Sequence, residues 1–185
     1  MGGRAPLRIL VVCTANVCRS PVAERLLSRH LGLAGHQALV ASAGVLGGEL
    51  EMHPYTIEAA RLGGIDLTDH VSRRLTADLL AVEGADLVIA MAREQLVQAV
   101  ALDPSIWPRT FTLKQLARAA LVTPLADVDG DWTRWLQRIG SGRHTDAFLI
   151  PDPADDVADP YGSPIAAHLM MMAEINLLCE QIAGR

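Results

Sequence analysis

Short apolar runs alternate along this chain with longer stretches whose apolar residues recur at helical spacing. Leu7-Arg-Ile-Leu-Val-Val12 is almost wholly apolar and rich in branched side chains, and it ends in a polar loop, the pattern of a strand buried on both faces. The loop Cys13 to Arg19 follows, and Ser20-Pro21 opens a helical stretch whose apolar face includes Val22 and Leu26. Proline is favourable in a first turn because its missing N–H had no helical partner there. Leu39 to Ala43 reads as a second strand closing at Gly44, Val45 to Glu51 as a glycine-rich loop, and Tyr55 to Leu62 as a helix ending at Gly63-Gly64. Asp86-Leu-Val-Ile-Ala-Met91 is another buried-strand run ahead of a helix from Arg93 to about Val100. Arg109 to Leu113 reads as a fourth strand feeding a helix through Ala120.

Thr123 to Asp159 lacks this rhythm. Trp132 and Trp135 suit a short helix packed by one side, while Gly140-Ser-Gly142 and Pro151 to Asp156 are turn-rich and acidic. Residues 121–158 are expected to form a mobile excursion from one domain spanning 1–185. The last helix is expected to take Ser163 as its N-cap and Pro164 as its first position. Ile165, Leu169, Met172, Ile175, Cys179 and Ile182 would then line a core-facing stripe. Alternating strands and helices predict an α/β, single-domain, three-layer sandwich with a four-stranded, mostly parallel central sheet flanked by helices. In such sheets ligands sit beyond the carboxyl ends of the strands, where the loop after Val12 lies.

Composition narrows the function classes. The length of 185 residues supports one full core, and with 4% aromatics the aliphatic side chains must supply most of it. A net charge of −5 argues against non-specific nucleic-acid binding but allows a local basic pocket. No apolar stretch is long enough to span a bilayer, and Leu7 to Cys13 is too short and wrongly flanked for a secretory signal, so neither nucleic acid nor membrane is expected as a partner. The three cysteines, Cys13, Cys18 and Cys179, form no disulfide framework, which fits a reduced, cytoplasmic protein. His30, His36, His53, His70, His144 and His168 have no metal-ligand spacing, and no metal or cofactor is expected.

The chemistry concentrates in Val11-Val-Cys-Thr-Ala-Asn-Val-Cys-Arg-Ser-Pro21, a cysteine, five residues, then Arg-Ser. Five residues let the loop Thr14, Ala15, Asn16, Val17, Cys18 curl so that successive backbone N–H groups converge on one anion. The following helix adds its positive N-terminus, and Arg19 can grip two phosphate oxygens at once. The same field favours the thiolate of Cys13, the nucleophilic form. Ser20 can donate to that sulfur, and Asn16 tolerates the left-handed backbone that tight anion loops need. A nucleotide-binding P-loop is excluded, since the loop has no glycine and no Gly-Lys-Ser/Thr follows.

This stretch closely resembles the low-molecular-weight protein tyrosine phosphatases, and the likeness extends down most of the chain. Ser42-Ala43-Gly44 looks like the family's Ser-Ala-Gly-Thr loop; His53-Pro54 and Gly64-Ile65-Asp66 fall in its next helix and turn. His70 and Arg73 match its His-x-Ala-Arg stretch, Ala90-Met91 ends its next strand, and Asp159-Pro160-Tyr161 looks like its late Asp-Pro-Tyr loop. The resemblance implies a phosphotyrosine protein substrate and a phosphocysteine on Cys13, with Asp159 as general acid and then base, and a monomer or weak dimer. Tyr161 would stack on the phenol, while Ser42 and His70 would support the loop. Asp152-Pro153 repeats the dipeptide, but only Asp159 is followed by Tyr161-Gly162; Asp152, Asp155 and Asp156 are expected to be solvated loop carboxylates.

Departures from the pattern bear on substrate. Ala15 replaces a usual glycine, Val45 a usual threonine, Leu46-Gly-Gly48 the usual pocket aromatic and Gly162 a second tyrosine. Arsenate reductases of this type resemble the same loop but carry Gln after Arg-Ser, where Pro21 stands here. Arginine phosphatases of the fold carry Thr where Val17 stands, and the apolar Val17 favours a flat phenol. A phosphoprotein-binding module with little turnover is the remaining alternative. Cys18 would either close a protective disulfide with Cys13 on oxidation or simply pack the loop. His70 is given a supporting role by resemblance, and the other histidines are expected on the surface or along helices.

Overall fold

A computed structural model describes residues 6–46, 48–81, 84–128, 130–141, 143 and 152–184. Strands β1 (Leu7–Cys13), β2 (Ala38–Gly44), β3 (Leu87–Ala90) and β4 (Thr110–Thr112) form one sheet in the order β2-β1-β3-β4. Every pair is parallel, with Val12 opposite Ala43 on one side and Ala90 on the other. Among them run α1 (Arg19–Leu33), α2 (Pro54–Leu62), α3 (Ala77–Leu80), α4 (Arg93–Leu102), α5 (Leu113–Val122), α6 (Trp132–Gly140) and α7 (Ile165–Ile182). The fold is the α/β sandwich expected.

Strand alternation splits the core in two. Leu7, Ile9, Val11 and Cys13 of β1 face the cluster that includes Leu26, Leu116 and Ile175 of α1, α5 and α7. Leu10 and Val12 face Leu80, Ala99 and Ile106 on the other side. Because β1 is central and its neighbours β2 and β3 lie on opposite sides, the chain changes direction of travel at the carboxyl end of β1. Cys13 occupies that end.

Two local expectations are corrected. Pro164, not Ser163, caps α7: its carbonyl accepts the first helical bond, from Ala167 N at 2.9 Å, while Ser163 N closes a turn onto Pro160 O. The buried stripe of α7 is His168, Met171, Ile175, Cys179 and Ile182, one position earlier than expected in its first half. The run Leu169 to Met172 is apolar in both phases, so periodicity alone did not choose between them.

Part of the segment expected as an excursion sits on the body of the domain. Leu125, Val128, Trp132 and Trp135 all join the larger core cluster, and Trp135 Nε1 donates to Thr123 O at 2.6 Å. Gly142, His144 and the rest of 144–151 lie outside the described residues.

Candidate active site

The loop between β1 and α1 is held from outside, carbonyl by carbonyl. Cys13 O accepts from Val45 N at 3.1 Å, and Thr14 O from Leu46 N at 2.8 Å. Ala15 O accepts from Ser72 Oγ at 2.9 Å, and Asn16 O is bonded to His70 Nε2 at 3.0 Å. Val17 O accepts from His53 N at 3.2 Å. In a planar trans peptide the N–H of the next residue points opposite to each carbonyl. With the carbonyls of 13–17 drawn outward, the N–H groups of 14–18 turn inward, the concave set of donors an anion needs. Asn16 N reaches Cys13 Sγ at 3.2 Å. Asn16 has φ 59°, the left-handed turn expected of it, and Ala15 keeps negative φ.

The direction of the hydrogen bond at the sulfur follows from its neighbours. Arg73 N donates to Asn16 Oδ1 at 3.0 Å, which fixes the orientation of that amide. Asn16 Nδ2 therefore donates to both Ser42 Oγ, 2.8 Å away, and Ser20 Oγ, 2.9 Å away. The Ser42 hydroxyl in turn donates a hydrogen bond to Glu24 Oε2 at 2.6 Å. Ser20, already an acceptor, stands 2.9 Å from Cys13 Sγ with its proton free to donate there.

Arg19 is almost fully buried and is braced at three points. Nη1 donates to Val157 O at 3.3 Å, and Nη2 to Thr14 Oγ1 at 3.0 Å and to Asp159 Oδ2 at 2.5 Å. Asp159 is half-exposed and faces a cleft of about 490 Å³ together with Cys13, Thr14, Ala15, Val17, Cys18, Arg19 and Tyr161. Leu46, Leu50 and Glu51 complete its walls. Tyr161 is largely exposed and is backed edge-on by His53, with ring centroids 5.4 Å apart. The residues expected at the site thus gather at one place, Ser42 and His70 behind the loop.

Two expectations failed here. Asp155 is not solvated: it is buried, bonded to Gln115 Nε2 at 2.5 Å and to Arg118, with Arg93 Nη1 at 3.5 Å. Asp156 accepts from Arg93 N at 2.7 Å and so caps α4. These carboxylates carry the loop that presents Asp159. His168 lies along a helix, α7, one of the two placements expected for it, and is fully buried there, its Nδ1 2.8 Å from Thr56 Oγ1 and its ring stacked on His53. Burial, and then the neighbouring His53, lowers the pKa of His168 below its ordinary value. Cys18, which bonds Thr56, is a buried thiol pushed up by that burial to about 11.

Glu24, Ser72 and Gln95 were also missed. Glu24 and Ser72 lie outside the Cys-to-Arg loop and reach it only through folding. Gln95 Nε2 donates to Thr14 Oγ1 at 3.2 Å from the first turn of α4, a contact no local pattern announces.

Fold and loop together define the class: an α/β protein with a cysteine-and-arginine loop at the switch point of a parallel sheet. The model of one family, described as low molecular weight phosphotyrosine protein phosphatase, matches residues 8–124. The chain belongs to that family. It is 40% identical over 110 residues to the low molecular weight protein-tyrosine-phosphatase Etp of Escherichia coli K12, covering 58% of this chain and 69% of that one. It is also 30% identical over 176 residues to the protein-arginine-phosphatase of Bacillus subtilis, covering 95% of this chain and 93% of that one. Among solved structures, a Bacillus subtilis YwlE mutant superposes with a TM-score of 0.71 at 28% identity, covering 96% of this chain and 97% of that one. The low molecular weight protein tyrosine phosphatase from T. tengcongensis gives 0.70 at 27% identity, covering 95% and 97%.

Proposed function

We propose that the protein hydrolyses phosphotyrosine in protein substrates through a phosphocysteine on Cys13. The observation that carries this is the inward-turned loop around Cys13 Sγ with Arg19 and Asp159 at its mouth. The loop N–H groups and Arg19 bind the phosphoryl oxygens, and Cys13 Sγ attacks phosphorus in line with the ester oxygen. As the S–P bond forms and the P–O bond breaks, Asp159 gives its proton to the departing phenolate oxygen. The same carboxylate then takes a proton from water as that water attacks phosphorus. The S–P bond breaks, phosphate leaves, and the Ser20 hydroxyl stabilises the departing thiolate. The expected setting is the cytoplasm; no described helix is long and apolar enough to cross a membrane.

The substrate reading rests on the cleft walls. Val17, Leu46, Leu50 and Tyr161 offer apolar surface to a flat ring. A second reading, phosphoarginine, is favoured by the near-complete coverage of the arginine phosphatase relative. Initial rates on phosphotyrosine and phosphoarginine peptides, beside Cys13→Ser, separate the two. Turnover confined to phosphoarginine overturns the first; activity surviving in Cys13→Ser overturns the covalent mechanism.

A further inference from the structure

We propose that Gln95 is a positioning residue that aims the Thr14 hydroxyl into the cleft, as a side-chain donor to the phosphoryl group beside the loop's backbone donors. The inference rests on the phosphate-binding reading of the Cys13 loop and adds two side chains to it. Gln95 is 2% exposed and is joined to the loop by one hydrogen bond, from Nε2 to Thr14 Oγ1. Arg19 Nη2 donates to the same oxygen, and a guanidinium can only donate. A hydroxyl oxygen has two acceptor positions, and these two donors fill both. The one proton of Thr14 must therefore point elsewhere. Thr14 lines the cleft with Cys13, Arg19 and Asp159, so the open direction is the one in which the phosphoryl group is bound.

The opposite orientation of the Gln95 amide is disfavoured by the same counting. It would let Oε1 take the Thr14 proton, but the NH₂ group would give up its bond to Thr14 Oγ1 and turn into the buried position that Oε1 now holds. As oriented, the amide leaves only Oε1 without a hydrogen-bond partner among the described residues. Buried carbonyl oxygens go unpaired more often than buried N–H groups. Arg19 Nη2 bridges Thr14 Oγ1 and Asp159 Oδ2, so the hydroxyl stands on the side of the cleft where the ester oxygen is handled.

The test uses Thr14→Ser, Thr14→Val, Gln95→Met, Gln95→Glu and the double variant Thr14→Val/Gln95→Met. The readouts are the dissociation constant of inorganic phosphate by calorimetry, kcat and KM for p-nitrophenyl phosphate, and Tm as a check of folding. Thr14→Val is expected to weaken phosphate binding about fivefold, the worth of one hydrogen bond, and Thr14→Ser to restore it. Gln95→Glu is expected to weaken it at least as much, because a carboxylate only accepts and would draw the Thr14 proton out of the cleft. The double variant should match Thr14→Val alone, since Gln95 acts through the hydroxyl.

Equal costs of Gln95→Met with and without the Thr14 hydroxyl would show a purely structural glutamine and overturn the proposal. So would wild-type phosphate affinity in a folded Gln95→Glu. If that variant does not fold, the Gln95→Met comparison in the two backgrounds decides alone. Absence of any p-nitrophenyl phosphate turnover in the wild type would sink the phosphatase reading instead, leaving the phosphate-affinity arm to judge this one.

Discussion

Asp159 Oδ2 lies 2.5 Å from Nη2 of Arg19, so the proposed proton donor and the proposed phosphate clamp hold each other. A phosphoryl dianion gripped by both arms of the guanidinium competes directly with that carboxylate. Asp159→Ala removes the acid and the competitor together. Turnover of phenyl phosphate is expected to fall about 10²-fold or more. Inorganic phosphate should at the same time inhibit more tightly than in the wild type. Steady-state kinetics with phosphate as inhibitor checks both, and unchanged or weaker inhibition would show that the ion pair does not compete with ligand.

Gly44 explains the Ser-Ala-Gly motif in steric terms. A Cβ there would lie 2.8 Å from Ala15 C and 2.9 Å from both Asn16 N and Thr14 O, all backbone. Gly44→Ala can be accommodated only by moving the anion loop, at a cost of about 1–3 kcal/mol. Activity should drop far more than Tm suggests, because the displaced atoms belong to the proposed phosphate-binding loop. Wild-type kcat/KM in a folded Gly44→Ala would contradict this.

Asp155 braces the loop that delivers Asp159. Asp155→Ala removes the carboxylate that holds Arg93, Arg118 and the Gln115 amide together; the more exposed Arg118 can rehydrate, while Gln115 Nε2 loses its acceptor. A destabilisation of about 2–3 kcal/mol is expected, below the full cost of breaking a wholly buried pair. Denaturant unfolding measures it, and a change under 1 kcal/mol would mean the cluster is less important than its burial implies.

What was legible beforehand was what is local. Cys13, Arg19, the left-handed Asn16 and the Ser20 contact all sit within one strand–loop–helix unit, where spacing translates directly into geometry. Val17 and Leu46 could be placed because their departures from a pattern fall inside motifs. Glu24, Ser72 and Gln95 were invisible because what matters about them is the partner, and each partner is distant in sequence or on another element. Asp155 and Asp156 were misread because an acidic, proline-rich stretch looks solvated until Arg93, Arg118 and Gln115 converge on it. The helical position of His168 was within expectation, but its burial was not legible, because a polar residue falling on an apolar stripe gives no sign that Thr56 will satisfy it.

His168 also predicts a pH dependence. Burial and the stacked His53 make its ring harder to protonate in the folded protein than in the unfolded chain. Below the unfolded value of about 6.5 the unfolded chain therefore binds more protons, and stability falls. The contribution is intact above that pH and lost as pH drops towards the lower, folded value. Tm is expected to decline between pH 7 and 5, and His168→Phe, which keeps a flat ring in place, to flatten part of the slope. An identical slope in that variant would assign the effect elsewhere, for instance to His36, whose pKa burial also lowers.

The thiols should separate by reactivity. Burial pushes Cys18 up to about 11 and Cys179 higher still, so both remain protonated at neutral pH. Iodoacetate at pH 7 is expected to label Cys13 alone, and inorganic phosphate to protect it. Peptide mass spectrometry reads the outcome, and labelling of Cys18 at a comparable rate would refute the ranking.

Val157 links the acid loop to the sheet: its N–H donates to Met91 O at 2.8 Å, just past the end of β3, and its carbonyl receives Arg19. Asp159 is thus aimed from a fixed address on the strand layer, two residues beyond an anchor, and not by the length of chain that leads up to it. Upstream, Thr123 O is tied to Trp135 Nε1. Asp155 and Asp156 add their ties to Gln115, Arg118 and Arg93 just ahead of the Val157 anchor, so everything that aims the carboxylate is gathered in its last few residues, and sequence further upstream can diversify while the proposed chemistry stays put.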